Sequence, residues 1–211
     1  MLFRSWLNAS TARVTVDMNT SAPAGDDDRP SPEHLAASTM INLDDPKVIE
    51  VARDAVKDLP AGATKLQTAE HLRSFVHEFI NEKALSVGLA SASETVRTRA
   101  GDCTEHGVLL AALLRANRIP SRVVTGIVYA EEFIGKKAIF GYHMWTQAWV
   151  EDEPGKGRWV DVDATLRDGK VFDATHIAMA HSAMGDGQLV TDMMWMAPLI
   201  GRLSIQVIEP R

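Results

Sequence analysis

The sequence predicts an α+β fold in which a helix carrying the chain's one cysteine packs on an antiparallel sheet. Three observations predict it. Stretches between Pro46 and Asn117 space their apolar residues at helical intervals. From Ser121 onward, β-branched and aromatic runs are joined by short turns, which pair strands antiparallel. The helices come first and the strands afterwards, which is the α+β order.

Each element has its own signal. Arg13 to Met18 alternates like a strand, and the Pro-, Gly-, Ser- and Asp-rich stretch from Ser21 to His34 has linker chemistry. Asp44-Asp45-Pro46 reads as a helix start, and the helix runs to Leu59, before Pro60, Gly62 and Thr64 break it. A second helix spans Thr68 to Asn81, with Leu72, Phe75, Val76 and Phe79 on one face; His71 and His77 read as surface positions on it. Ser93 and Glu94 start a short helix that presents Gly101-Asp102-Cys103. The run from Thr104 to Asn117 is apolar on most sides, as a central buried helix must be. Strands are expected at Ser121 to Tyr129, Phe140 to Val150 and Arg158 to Ala164, with a fourth at Gly201 to Glu209. His176 and His181 fall on a possible short helix and read as structural or surface residues.

Residues 45–211 are expected to form one domain, with 1–44 an extension or linker, or the end of an upstream region. A length of 211 residues suits that. With a net charge of −6 there is no basic stripe for nucleic acid. No apolar run reaches the ~18 residues a membrane span needs. The first ten residues make a poor signal peptide and read like the interior of a longer chain. One reduced cysteine suits a soluble cytoplasmic protein, unless a missing upstream segment carries an export signal. Compartment and oligomeric state stay open.

A single cysteine cannot form an internal disulfide or a CxxC motif, so its surroundings decide its meaning. Cys103 opens the apolar helix, where unpaired N–H groups favour thiolate and can hold an oxyanion. His143 shares a strand face with Trp145, Gln147 and Trp149. The turn near Pro154 sets a hairpin register that puts His143 opposite residues 163–165, and Asp163 has the parity to share its face. Asp161 has the same parity but lies nearer Gln147 or Trp145. Cys103, His143 and Asp163 thus supply a nucleophile, a base and an orienting carboxylate.

The stretches RAGDCTEHGVLLAALLRANRIPSRVVTGIVY, FGYHMWTQAWV and GRWVDVDATL resemble the transglutaminase-like superfamily, which shares the papain-like cysteine-protease architecture. The Cys-Thr-Glu-His box looks like its bacterial branch. The resemblance implies a catalytic triad of Cys103, His143 and Asp163, with no cofactor and no metal. It implies acyl transfer through a thioester on a protein or peptide substrate, as a peptidase or amidase or as a transglutaminase. A binding or scaffolding domain that keeps the fold without turnover is the alternative.

Other residues have competing readings. His106, one turn after Cys103, either contacts substrate or packs in the helix. Trp145 and Trp149 either line an acyl groove or fill the sheet core; His106 and Trp145 are the substrate-binding candidates. Glu105 suits the first turn of a helix. A zinc site of Cys103, His106, His143 and Asp163 has ligand types but lacks the paired spacing of structural zinc.

Overall fold

The computed structural model describes residues 2–16, 28–83, 88–133, 135–153, 155–170, 172–187 and 201–208. A hairpin of β1 (Leu2–Asn8) and β2 (Thr11–Val16) comes first. Helices α1 (Pro46–Asp54) and α2 (Lys65–Phe79) follow, then β3 (Glu82–Lys83), α3 (Ala92–Thr98), β4 (Ala100–Gly101) and α4 (Cys103–Ala116). Strands β5 (Ser121–Phe133), β6 (Lys136–Glu153), β7 (Lys156–Val162) and β8 (His176–Ser182) form an antiparallel sheet in the order β7-β6-β5-β8. This is the α+β arrangement the sequence predicts.

Helix starts follow their caps. Asp45 accepts from the Lys47 and Val48 N–H groups, and Pro46 takes the first position, where a missing N–H costs nothing. Regular α1 ends at Asp54 rather than Leu59; tight turns lead into Pro60, which disfavours a helical residue before it. Helix α2 begins earlier than the periodicity suggests. Thr64 does not merely break a helix but caps one, in a reciprocal box with Gln67. Ser91 and Glu94 form the same box at α3.

Helix α4 lies at the centre. Val108 to Leu114 are fully buried and meet Leu72, Val76, Val123, Met144, Ala148 and Val162. Gly107 lets β6 approach: the Met144 side chain lies against its missing Cβ, and Thr146 Oγ1 donates to its carbonyl at 2.9 Å. The other sheet face carries Trp145, Trp149 and Trp159. Part of the stretch read as linker covers that face. The Asp28 carbonyl accepts from Trp159 Nε1, its carboxylate pairs with Arg122, and the His34 ring lies 5.1 Å from Trp159. The rest of that stretch, and the last two residues of the strand expected at Arg13 to Met18, lie outside the described residues.

Two expectations fail at the C-terminal end. Residues 203–208 form no strand; alternating Leu203, Ile205 and Val207 are exposed, because no described strand edge pairs with them. The fourth strand of the sheet is β8, so His176 and His181 lie on a strand and not on a helix. No described helix is long and apolar enough to cross a membrane.

Arg115 ties distant segments together from inside the core. It donates to the carbonyls of Ala36 (2.7 Å), Ser121 (3.0 Å) and Ala183 (2.6 Å), and to Ser121 Oγ. Burial lowers its pKa to about 10, still charged at neutral pH. Replacing it by Leu orphans the buried carbonyls of Ser121 and Ala183, releases the exposed segment at Ala36, and should cost about 3 kcal/mol in urea unfolding. Lys, lacking the planar fork, should restore less than half. A loss below ~1 kcal/mol would show that the carbonyls find other donors.

Candidate active site

Gly101 and Asp102 set the geometry at the head of α4. A Cβ on Gly101 would overlap the Glu105 side chain, which folds back across it. Glu105 is therefore more than a first-turn acid. Fully buried, it accepts from the N–H groups of Ala90 (2.7 Å) and Asp102 (2.9 Å) and from Thr104 Oγ1. Asp102 caps the helix through Thr104 N–H. Cys103 is thereby fixed as the first residue of α4, half-buried, with the Met144 N–H directed at its sulfur.

Helix-end placement alone predicts a lowered thiol pKa. The structure gives the opposite: burial pushes the Cys103 thiol up to about 12, and the neighbouring carboxylates of Asp102 and Asp163 add to the rise. The Met144 and Cys103 N–H groups oppose this without overcoming it.

The β6–β7 ladder pairs Trp149 with Trp159, Gln147 with Asp161 and Thr146 with Val162, and there it ends. His143 therefore has no directly opposed β7 residue. Asp163, just past the strand end, reaches it diagonally, and His143 Nε2 donates to Asp163 Oδ2 at 2.7 Å. Met144 lies beyond the same ladder end, so the imidazole and the N–H directed at the sulfur belong to adjacent positions of β6 just past its pairing with β7. Asp161 accepts from Trp145 Nε1 and Gln147 Nε2, both at 2.7 Å, as its parity suggests.

Asp163 is itself held from all sides. Oδ1 accepts from the Thr165 N–H and hydroxyl, both at 2.8 Å, and Oδ2 takes a second imidazole, His176 Nε2, at 3.3 Å. Burial pushes its pKa up, but the hydrogen bonds from His143 and His176 outweigh it and hold the carboxyl well below the usual range. His77, partly exposed on α2, donates through Nδ1 to the Ala164 carbonyl at 3.0 Å, so it links that helix to the chain after Asp163. His71 likewise donates to the Ala55 carbonyl at 2.8 Å.

His106 and Trp145 do not suit substrate contact, because both are buried. His106 Nδ1 donates to the Asp102 carbonyl at 2.5 Å, and its Nε2 accepts from Lys83 Nζ at 2.7 Å. Burial lowers its pKa to about 4. Trp145 stacks 6.0 Å from the His143 ring and fills the sheet core, as does Trp149.

His176 is the residue that sequence reasoning missed; its one signal, a lone histidine far from every motif, did not point to Asp163. Among the described residues, His143, Asp163 and His176 offer three ligand-type atoms within 4.8 Å of one another; neither Cys103 nor His106 belongs to the group. Both imidazole nitrogens already donate to one carboxylate oxygen. A cation there would have to displace both protons, so hydrogen bonding accounts for the cluster.

A family model described as the transglutaminase-like superfamily matches residues 53–164. Uncharacterised proteins of Mycobacterium tuberculosis and Mycobacterium bovis are each 27% identical over 141 residues, 64% of this chain and 44% of theirs. The chain thus spans under half the length of these relatives. In structure it resembles a candidate cysteine protease from Cytophaga hutchinsonii (TM-score 0.54, 22% identity, 71% of this chain and 46% of that one). The periplasmic domain of TgpA from Pseudomonas aeruginosa is less similar (TM-score 0.44, 23% identity, 63% and 45%).

The charge states fix a pH dependence. His106 titrates lower in the folded chain than in the unfolded one, so its contribution is lost as pH falls from about 6.5 toward 4. The depressed carboxyl of Asp163 contributes above its unfolded value, about 3.9, and that is lost below it. Unfolding free energy measured in urea should therefore fall in the first window, with His106→Gln flattening that slope. Asp163→Asn should destabilise at pH 7 and converge on the native value in stronger acid. Stability that is flat from pH 7 to 4 would contradict the burial of a neutral His106.

Proposed function

The chain belongs to the transglutaminase-like superfamily, and from that premise we propose that it performs thiol-dependent acyl transfer with Cys103, His143 and Asp163. The observation that carries this reading is the 2.7 Å bond from His143 Nε2 to buried Asp163, set beside a helix that opens with the cysteine. With Nε2–H committed to the carboxylate, Nδ1 is the ring nitrogen left to take a proton from the thiol.

In this reading Sγ of Cys103 attacks a carboxamide or peptide carbonyl while His143 takes the thiol proton. The tetrahedral oxyanion is held by the Cys103 N–H at the positive end of α4. Collapse expels ammonia or an amine, which leaves with the proton from His143, and a thioester remains. Water then gives an amidase or peptidase, and a lysine-like amine gives a transglutaminase. Asp163 stays ionised throughout, fixing the imidazole tautomer and stabilising the imidazolium. The substrate class is a protein or peptide.

The raised thiol explains why a base is required. A thiol pushed up to about 12 is protonated at neutral pH, so the nucleophile has to be made by proton transfer within the site. The same observation is what favours the second reading, a domain that keeps the fold without turnover.

Mass spectrometry of a glutamine-containing peptide pool, with and without an added amine, distinguishes cleavage, deamidation and amine incorporation. The native protein should give at least one of them. Cys103→Ala should give none, and His143→Ala should lower the rate by roughly 10³-fold or more. Product formation that survives Cys103→Ala would reject the thiol chemistry; no product from the native protein with any peptide would favour the binding domain.

A further inference from the structure

We propose that His176 is a positioning residue for the acyl-transfer site: it donates Nε2–H to Oδ2 of Asp163 and so aims the carboxylate that orients His143. This rests on the triad reading above and adds a fourth side chain, from a strand that none of the three occupies.

The geometry is specific. His176 lies on β8, which pairs with β5 on the side away from β6. Its imidazole nonetheless comes to 5.7 Å from that of His143, centroid to centroid. Gly126 makes the approach possible: on β5 it stands between His143 on one side and Ala178 on the other. A Cβ there would overlap the Ile177 carbonyl oxygen and the Trp145 ring. Phe172 stacks on His176 at 4.1 Å and the edge of Trp145 meets it at 5.4 Å, which fixes the ring plane. The other ring nitrogen, Nδ1, lies 3.3 Å from the Asp173 carbonyl oxygen.

The donor count shows what the bond is for. Oδ1 of Asp163 is pinned by Thr165, and a carboxylate pinned at one oxygen can still swing about that point. The His143 bond alone cannot serve as that second anchor, because it ties the carboxylate to the very ring the carboxylate has to orient. A second donor on Oδ2, from a strand that takes no part in the chemistry, holds the carboxylate in line while the His143 proton inventory changes.

The test compares the native protein with His176→Leu, His176→Gln and Asp163→Asn. Gln retains an N–H near the Nε2 position, and Leu does not. One readout is the rate of Cys103 alkylation by iodoacetamide; the other is the nitrogen-15 signature of the His143 tautomer. His176→Leu should slow alkylation about tenfold, the scale of one lost hydrogen bond to a charged group, and should mix the His143 tautomers. His176→Gln should stay within about twofold and keep the Nε2–H tautomer. Native rates and tautomer in His176→Leu, alongside slowed alkylation in Asp163→Asn, would overturn the role of His176 alone. Unchanged alkylation in Asp163→Asn would overturn the triad reading first. Should His176→Leu not fold, the native spectrum still decides: His176 protonated at Nε2 supports the proposal, and a bare Nε2 overturns it.

Discussion

A buried carboxylate can stay ionised only if donors replace the water it has lost, and Asp163 meets that condition with every lone pair it offers. Its bond to His143 is the constraint around which the site is arranged. Strand β7 stops at Val162 so that Asp163 can turn out of the ladder. Thr165 folds back to hold one oxygen, and His77 holds the adjoining carbonyl from α2. The helices and the sheet thus converge on one side chain. This is why a fold assembled around α4 has its polar centre at a strand end rather than on the helix.

The thiol illustrates two effects of unequal size. A helix N-terminus stabilises a negative charge by about 0.3–1 kcal/mol, and by up to ~2 in good geometry. Raising the Cys103 thiol to about 12 is worth roughly 4 kcal/mol in the other direction. Burial wins, aided by two carboxylates. The helix end is better suited to a charge that appears only in the transition state, where the N–H groups meet an oxyanion instead of a resting thiolate. In the proposed reaction, proton exchange between sulfur and imidazole beside ionised Asp163 would keep the charge inside the cluster and avoid isolating a thiolate.

The parts of this structure that local rules govern were legible in the sequence. The α4 boundaries follow from Gly101-Asp102 and from Asn117 to Pro120, and the meeting of His143 with Asp163 follows from strand parity and a hairpin turn. Asp161 went to Trp145 and Gln147 on the same reasoning. Thr64 was misread because a cap and a breaker use the same residue type, and only the reciprocal Gln67 bond distinguishes them. The strand expected at the C-terminal end failed because alternation needs a partner edge, which is a tertiary fact. His176 was illegible for the same reason: nothing local to it specifies Asp163, and the gap over Gly126 that brings them together exists only in the folded sheet. The raised thiol was missed because burial belongs to the assembled site, whereas helix position can be read from a motif.

The most direct measurement is the separation between Cys103 Sγ and His143 Nδ1 in a crystal structure of the reduced protein. The account predicts about 3.2–4 Å, with the Met144 N–H on the sulfur and Nε2 on Asp163. A separation beyond ~6 Å, with neither a bridging water nor a second rotamer able to close it, would contradict thiol activation by His143.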